Sequence, residues 1–151
     1  MTAGHEIARS IVDASGGEIV GSTRLQKIAY ILTRSGFIKN LSFSYHRFGP
    51  YSEDLTRSID DAVHLGHVLR TDHTAIWGGK YSIFRLTNTD SKANKKAKEL
   101  ATFLSSKDAV ILELAATAIF LADEGVADAW SELTARKPSK STPENISKAK
   151  E

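Results

Sequence analysis

The sequence predicts a mainly α-helical domain with a small β-hairpin, in the element order of a winged helix and with additional C-terminal helices. Two observations predict this fold class. The first is a series of three segments with apolar residues at helical spacing, and the second is a pair of strand-like runs, joined through glycine, that follows them. Two strands alone are unstable, so we expect the hairpin to pack on the three helices. The length of 151 residues fits one domain.

The first two helices are predicted from apolar faces and from the residues that bound them. Apolar residues between positions 7 and 12 precede Gly16 and Gly17, which can end a helix in the left-handed conformation. Ser22 or Thr23 can accept amide hydrogen bonds at the start of a second helix, which should end before Gly36. The apolar face of this helix has the i, i+3, i+4, i+7 spacing: Leu25, Ile28, Ala29 and Leu32.

A short aromatic segment and a third helix follow. The aromatic residues alternate in part, which is typical of a strand or an extended arm: Phe43, Tyr45 and Phe48. Gly49 and Pro50 interrupt the chain, and Ser52 is a favourable N-cap for a helix that ends near Gly66. Residues 52–66 carry one basic and four acidic residues, a net charge of 1 minus 4, or −3: Arg57, Glu53, Asp54, Asp60 and Asp61.

Residues 67–71 and 80–87 are predicted as the two strands of the hairpin, joined through Trp77 and two glycines. Three more helices follow: the fourth from Asp90 or Ser91 to about Leu104, the fifth from Lys107 or Asp108 to Asp123, and the sixth from Ala127 to before Pro138. The fifth helix is apolar on nearly every side, so we expect it to be central or to form a homodimer interface. Thr142 and Pro143 can begin a short terminal helix.

Charge and composition narrow the class of protein. The net charge is +2, but residues 136–151 hold five basic and two acidic residues, while residues 108–135 hold six acidic residues and no basic one. A uniformly basic nucleic-acid surface is therefore excluded. We divide the chain into a winged-helix-like region (1–88), C-terminal helices packed on it (89–137) and a basic tail (138–151). The sequence has no cysteine, no apolar run long enough to span a bilayer and no secretory signal, so we expect a cytoplasmic protein.

Residues that could carry chemistry do not form a known catalytic pattern. The chain has no phosphate-binding glycine loop and no nucleophile elbow. His64, His67 and His73 are irregularly spaced for a metal site, and ordinary surface histidines are the favoured interpretation. Glu113 lies within an apolar helix without an evident catalytic partner. We therefore predict no enzyme, no catalytic residue, no metal and no cofactor.

A nucleic-acid interface is the alternative function that the element order suggests. The third helix usually enters the major groove in a winged helix, but here its negative charge should repel DNA. Basic residues on the second and fourth helices could contact phosphates instead: Arg24, Arg34, Lys92, Lys95, Lys96 and Lys98.

Two motifs carry a family resemblance. The stretch TRLQKIAY at positions 23–30 is followed by FSYHRFGPYS at positions 43–52. In this pairing the chain resembles the bacterial and phage proteins of the Panacea antitoxin type and the related YwgA-like proteins, over about residues 5–88. The resemblance implies a non-enzymatic domain that neutralises a partner protein, such as a toxin encoded nearby, by direct binding.

A partner-binding surface can be placed on the two motifs and the hairpin tip. Polar aromatic residues and arginine are enriched at interfaces. The candidate partner-binding residues are Gln26, Lys27, Tyr30, His46, Arg47, Tyr51 and Trp77. Two of these have an alternative interpretation: Tyr51 is favoured as a core aromatic residue, and Lys27 suits a solvated lysine equally well.

Overall fold

The computed structural model describes residues 4–38, 41–46, 49–76, 78–87, 95–107, 109–137, 140–141 and 143–150. In chain order, its elements are α1 (Gly4–Ala14), β1 (Glu18–Val20), α2 (Ser22–Arg34), β2 (Ser44–His46), β3 (Gly49–Tyr51), α3 (Glu53–His64), β4 (Val68–Thr74), β5 (Lys80–Leu86), α4 (Lys95–Ser105), α5 (Ala109–Asp123), α6 (Ala129–Arg136) and α7 (Pro143–Lys150).

The predicted fold class, a mainly α-helical winged-helix-like domain with one hairpin, is wrong. The described residues form a mixed α/β structure with seven helices and two antiparallel sheets, of three and two strands. The sequence did not reveal β1 or the separation of β2 from β3, because each of these strands has three residues. Three residues are too few to show the alternation of apolar and polar side chains that identifies a strand.

The larger sheet has the strand order β1-β5-β4. Ile19 of β1 lies opposite Phe84 of β5, and both side chains are buried against the helices. The alternate residues face away from the helices, and three of the side chains there are exposed: Val20, Leu69 and Tyr81. The strand β4 is longer than predicted and extends to Thr74.

The starts of two helices show where cap prediction succeeds and fails. Ser52 is the N-cap of α3, as predicted, and its Oγ accepts a hydrogen bond from the N–H of Leu55 at 3.2 Å. The N-cap of α2 is Gly21 rather than Ser22 or Thr23. Gly21 has a φ of 95° and donates its N–H to the carbonyl of Ser82 at 2.7 Å, so this glycine joins the sheet to the helix. The predicted start of α4 lies outside the described residues.

Helix α5 is central, which accounts for its apolar composition. One part of its surface, including Leu112 and Ala116, belongs to the main core. Another part forms a second hydrophobic cluster with a residue of α6: Leu114, Ala118, Leu121 and Leu133. Residues of α7 also pack against this second cluster, so the end of the predicted basic tail is a packed helix. Most of the apolar surface of α5 is therefore covered within the chain, and homodimerisation stays a prediction.

None of the helices in the described ranges is long and apolar enough to cross a membrane.

Candidate functional site

The strands β2 and β3 form a two-stranded ribbon that is fixed to the core by the first motif. Gln26 of α2 is 4% exposed. Its Oε1 accepts the N–H of Ser52 at 2.8 Å, and its Nε2 donates to the carbonyl of Ser52 at 3.1 Å. The same Nε2 lies 3.2 Å from Oγ1 of Thr56. The amide of Gln26 thus replaces a neighbouring strand at the point where the ribbon enters α3.

Lys27 makes the second attachment, and Gly49 makes room for it. The side chain of Lys27 is 1% exposed, and its Nζ donates to the carbonyl of Pro50 at 2.8 Å. Gly49 has a φ of 94°, and a Cβ at this position would lie 2.4 Å from Oγ1 of Thr117 and 3.6 Å from Cε of Lys27. Only glycine tolerates both this backbone conformation and this close approach. The two sequence motifs are therefore two halves of one interior contact.

A buried charge cluster lies behind the ribbon. Glu113 is 2% exposed and accepts hydrogen bonds from Nζ of Lys137 at 3.1 Å and Nζ of Lys140 at 3.0 Å. Burial lowers the pKa of Lys27 to about 8; the carboxylate of Glu113 opposes this shift, and the other two lysines add to it. The Oγ1 of Thr117 is buried without a hydrogen-bond partner in the described part of the chain.

Tyr30 connects the interior to a surface ion pair. Its ring is 5% exposed and makes an edge contact with Phe43 at a centroid distance of 5.1 Å. Its hydroxyl donates to Asp123 at 3.1 Å, and Asp123 forms an ion pair with Arg34 at 2.6 Å. Burial, and then the charge of Asp123, raises the pKa of Tyr30 far above its usual value.

The outer surface of the ribbon carries exposed aromatic and imidazole groups. Tyr45 is 36% exposed, and the guanidinium of Arg136 lies 5.1 Å from its ring centroid. The exposed ring of His46 lies over that of Tyr51 at a centroid distance of 4.6 Å. The hydroxyl of Tyr51 is within 2.7 Å of Oγ1 of Thr56, so this half-buried tyrosine has the satisfied hydroxyl expected of a core aromatic residue. The ribbon thus presents Tyr45 and His46 to solvent.

The predicted partner-binding residues divide into two groups. His46 and Tyr51 are at the ribbon surface, whereas Gln26, Lys27 and Tyr30 are buried. Lys27 is thus neither a solvated lysine nor a surface contact, because it is buried and its Nζ donates to the carbonyl of Pro50. The other two predicted residues, Arg47 and Trp77, lie outside the described residues.

Two of the predicted phosphate-binding residues, Arg24 and Arg34, make contacts within the chain. Arg24 donates to the carbonyls of Val20 at 3.0 Å and Lys107 at 3.2 Å. Arg34 is held by Asp123. Three side chains on α4, here called the α4 lysines, are exposed: Lys95, Lys96 and Lys98. Lys92 lies outside the described residues, and DNA binding stays a prediction.

Sequence reasoning missed the residues that complete the site. Glu113 stood out as an acid within an apolar helix, but its cations lie more than 20 residues further along the chain, at Lys137 and Lys140. No pattern in the sequence joins positions so far apart. Tyr45 was predicted only as a strand residue, because its exposure depends on how the ribbon packs.

Comparison with known proteins places the chain in a family. No family model matches it. The uncharacterized protein YwgA of Bacillus subtilis (strain 168) is 30% identical over 118 residues, which cover 72% of this chain and 69% of YwgA. This similarity confirms the YwgA-like part of the resemblance that the two motifs predict. The chain belongs to the YwgA family.

Proposed function

We propose that this protein is a non-enzymatic protein-binding domain of the Panacea antitoxin type, which neutralises a partner protein by binding it through the outer surface of the β2–β3 ribbon. The exposed Tyr45 and His46, on a ribbon fixed from behind, are the observation that supports this proposal most directly. Tyrosine supplies a large contact area with few rotatable bonds, which suits a binding surface.

The interior of the ribbon favours a binding role because it makes the surface rigid. The polar groups of Gln26 and Lys27 form hydrogen bonds with the backbone of Ser52 and Pro50 rather than with solvent. Burying such groups is costly unless their hydrogen bonds are made, so the ribbon is held in one position. A surface that is ordered before binding loses less entropy when a partner docks.

The contacts of Lys27 favour a positioning role for this residue over a catalytic one. Lys27 has a lowered pKa, as a catalytic lysine often has. Its amino group, however, donates to a backbone carbonyl within the interior, and its side chain is 1% exposed. A substrate has no path to it in this conformation, so a positioning role explains the lysine better than catalysis does.

The test is co-expression with the protein encoded beside this chain in its native genome. If that neighbour is toxic, we expect this chain to restore growth and to copurify with it in a fixed ratio. The double variant Tyr45→Ala, His46→Ala should lose both effects. The matched control is Leu69→Ala, which removes an exposed apolar side chain on the larger sheet and should keep both.

The proposal fails if the ribbon variant and the control behave alike. It also fails if the folded chain neither restores growth nor binds the neighbouring protein. Circular dichroism and the unfolding midpoint of each variant establish that the substitutions leave the fold intact.

A further inference from the structure

The strand β4 forms one edge of the three-stranded sheet, and the direction of its backbone groups follows from the hydrogen bonds at its two ends. The N–H of Thr87 donates to the carbonyl of His67, and the N–H of Ala75 donates to the carbonyl of Gly79. In an antiparallel ladder, residues that exchange hydrogen bonds with the neighbouring strand alternate with residues that do not. The odd-numbered residues of β4 therefore exchange hydrogen bonds with β5.

The even-numbered residues of β4 point their N–H and carbonyl groups away from the sheet. These residues are Val68, Arg70, Asp72 and Thr74. The described part of the chain places no hydrogen-bond partner on their backbone groups, and all of them except Val68 are exposed. An unpaired edge of this kind is a template for another strand.

The charges along this edge are self-complementary. Arg70 and Asp72 lie on the same face of β4, on either side of Thr71. If a second copy of β4 pairs antiparallel about a two-fold axis at Thr71, Arg70 of each chain lies opposite Asp72 of the other. The same register aligns the outward backbone groups of both strands. Moving the axis by one residue would instead place Arg70 opposite Arg70, or Asp72 opposite Asp72, and like charges directly opposite are destabilising.

Both charged side chains retain groups that a second strand can use. The Nε of Arg70 donates to Oδ1 of Asp72 at 3.3 Å, and its Nη1 lies 3.7 Å from Oδ1 of Asp60. The same Oδ1 of Asp72 accepts from the hydroxyl of Ser82 at 2.7 Å. Among the described residues, nothing bonds to Nη2 of Arg70 or to Oδ2 of Asp72, and the Asp72 side chain is 75% exposed. Arginine has five N–H donors, so Arg70 can bind the partner's Asp72 and keep its contact with Asp60.

We propose that two copies of this chain associate through the outer edge of β4, antiparallel about Thr71, and so join their two sheets into one. This inference goes beyond the proposed function and does not depend on it. A second copy is the occupant because the same two residues supply both halves of the charge pattern, as a two-fold interface requires. Only the seven residues of β4 pair in each chain. This is less than a standard interface, so we expect a dimer that forms at protein concentrations of about 100 μM or more.

Charge reversal at the edge provides a test with its own rescue. Arg70→Asp makes both edge charges negative, and Asp72→Arg makes both positive. Either variant alone therefore brings like charges together across the axis, whereas an equal mixture of the two brings opposite charges together at both positions. In sedimentation velocity, we expect each variant alone to dimerise about tenfold more weakly than the natural chain, because two opposite-charge pairs become like-charge pairs. The mixture should form a heterodimer.

Two further variants complete the experiment. Lys98→Asp reverses a charge at an exposed position on α4 and should dimerise like the natural chain. The doubly substituted chain, Arg70→Asp with Asp72→Arg, exchanges the two charges and should also dimerise like the natural chain. It keeps the test decisive if one of the single variants folds poorly in circular dichroism.

Hydrogen exchange tests the pairing of the backbone. The outward amides of Arg70 and Asp72 should exchange slowly only at concentrations at which the dimer forms. The amides of Leu69 and Thr71, which donate to β5, should be protected at every concentration.

Three results would overturn the proposal. One is a natural chain that remains a monomer at about 1 mM. Another is a dimer that both single variants form as strongly as the natural chain, because its interface would then lie elsewhere on the chain. The third is a pair of folded single variants that fail to dimerise alone and also fail to combine when mixed, because the two charges would then not meet across a two-fold axis.

Discussion

The buried amino group of Lys27 should make the free energy of unfolding rise with pH. The pKa of Lys27 is about 8 in the folded chain and has its ordinary value of 10.5 in the unfolded chain, a difference of 2.5. Between these two pH values the unfolded chain keeps a proton on Lys27 that the folded chain has lost. Raising the pH therefore increases the free energy of unfolding. At about 1.4 kcal/mol per pKa unit, the gain is about 3 kcal/mol over the whole window, and most of it is reached by pH 10.

The assay is urea unfolding followed by tryptophan fluorescence between about pH 7 and pH 10, for the natural chain and for Lys27→Met. Methionine keeps the length of the side chain and does not titrate, so the pH dependence of the difference between the two proteins belongs to Lys27. Measurements stop near pH 10 because the raised pKa of Tyr30 acts with the opposite sign: above the unfolded pKa of tyrosine, near 10.0, stability falls as pH rises.

The result that refutes this reasoning is a constant difference between the two proteins from pH 7 to pH 10. Lys27 would then be hydrated in the folded state, and its contact with Pro50 would not fix the ribbon. Lys27→Arg gives an independent measurement if the methionine variant folds poorly, because arginine remains charged throughout the range. This variant should also lack the rise in stability.

Three further predictions concern the site and its surroundings. Gly49→Ala should cost about 2 kcal/mol or more in urea unfolding, because of its positive φ and the approach to Thr117, and adding Thr117→Ala should recover part of the loss. Glu113→Gln should cost about 3 kcal/mol in the same assay, since it leaves buried ammonium groups without their carboxylate; Lys140→Gln should cost less, because that side chain is 34% exposed. Changing the α4 lysines to glutamate should leave partner binding unchanged. If the natural chain binds duplex DNA with a salt-sensitive affinity in fluorescence anisotropy, and this variant loses that affinity, the result would support the DNA alternative.

Local signals predicted the elements that depend on local interactions. The apolar spacing of α2 and the Ser52 cap of α3 appear in the structure as expected, since both arise within a few residues of sequence. The pairing of β1 with β5 is present in the structure but was not predicted. Ile19 and Phe84 are far apart in the sequence and are brought together only by the helices between them. That long-range pairing turns a predicted hairpin into a three-stranded sheet and changes the fold class.

The candidate site was only partly predictable, for a related reason. The two motifs pointed to the correct segments, but the sequence left Lys27 equally suited to solvent and to an interface. Its burial depends on the carbonyl of Pro50 and on the small size of Gly49, which are set by the register of the ribbon. The partners of Glu113 depend on the packing of α6 and α7, which no local pattern encodes.

The second hydrophobic cluster, which joins α5 to the C-terminal helices, has a consequence for the order in which the protein unfolds. It is separate from the main core, so α6 and α7 can open as a cooperative unit while the core remains folded. Native-state hydrogen exchange should then show lower protection in α6 and α7 than in α2. Opening would also withdraw Lys137 and Lys140 from Glu113, so the charge cluster sets part of the free energy that holds this unit closed.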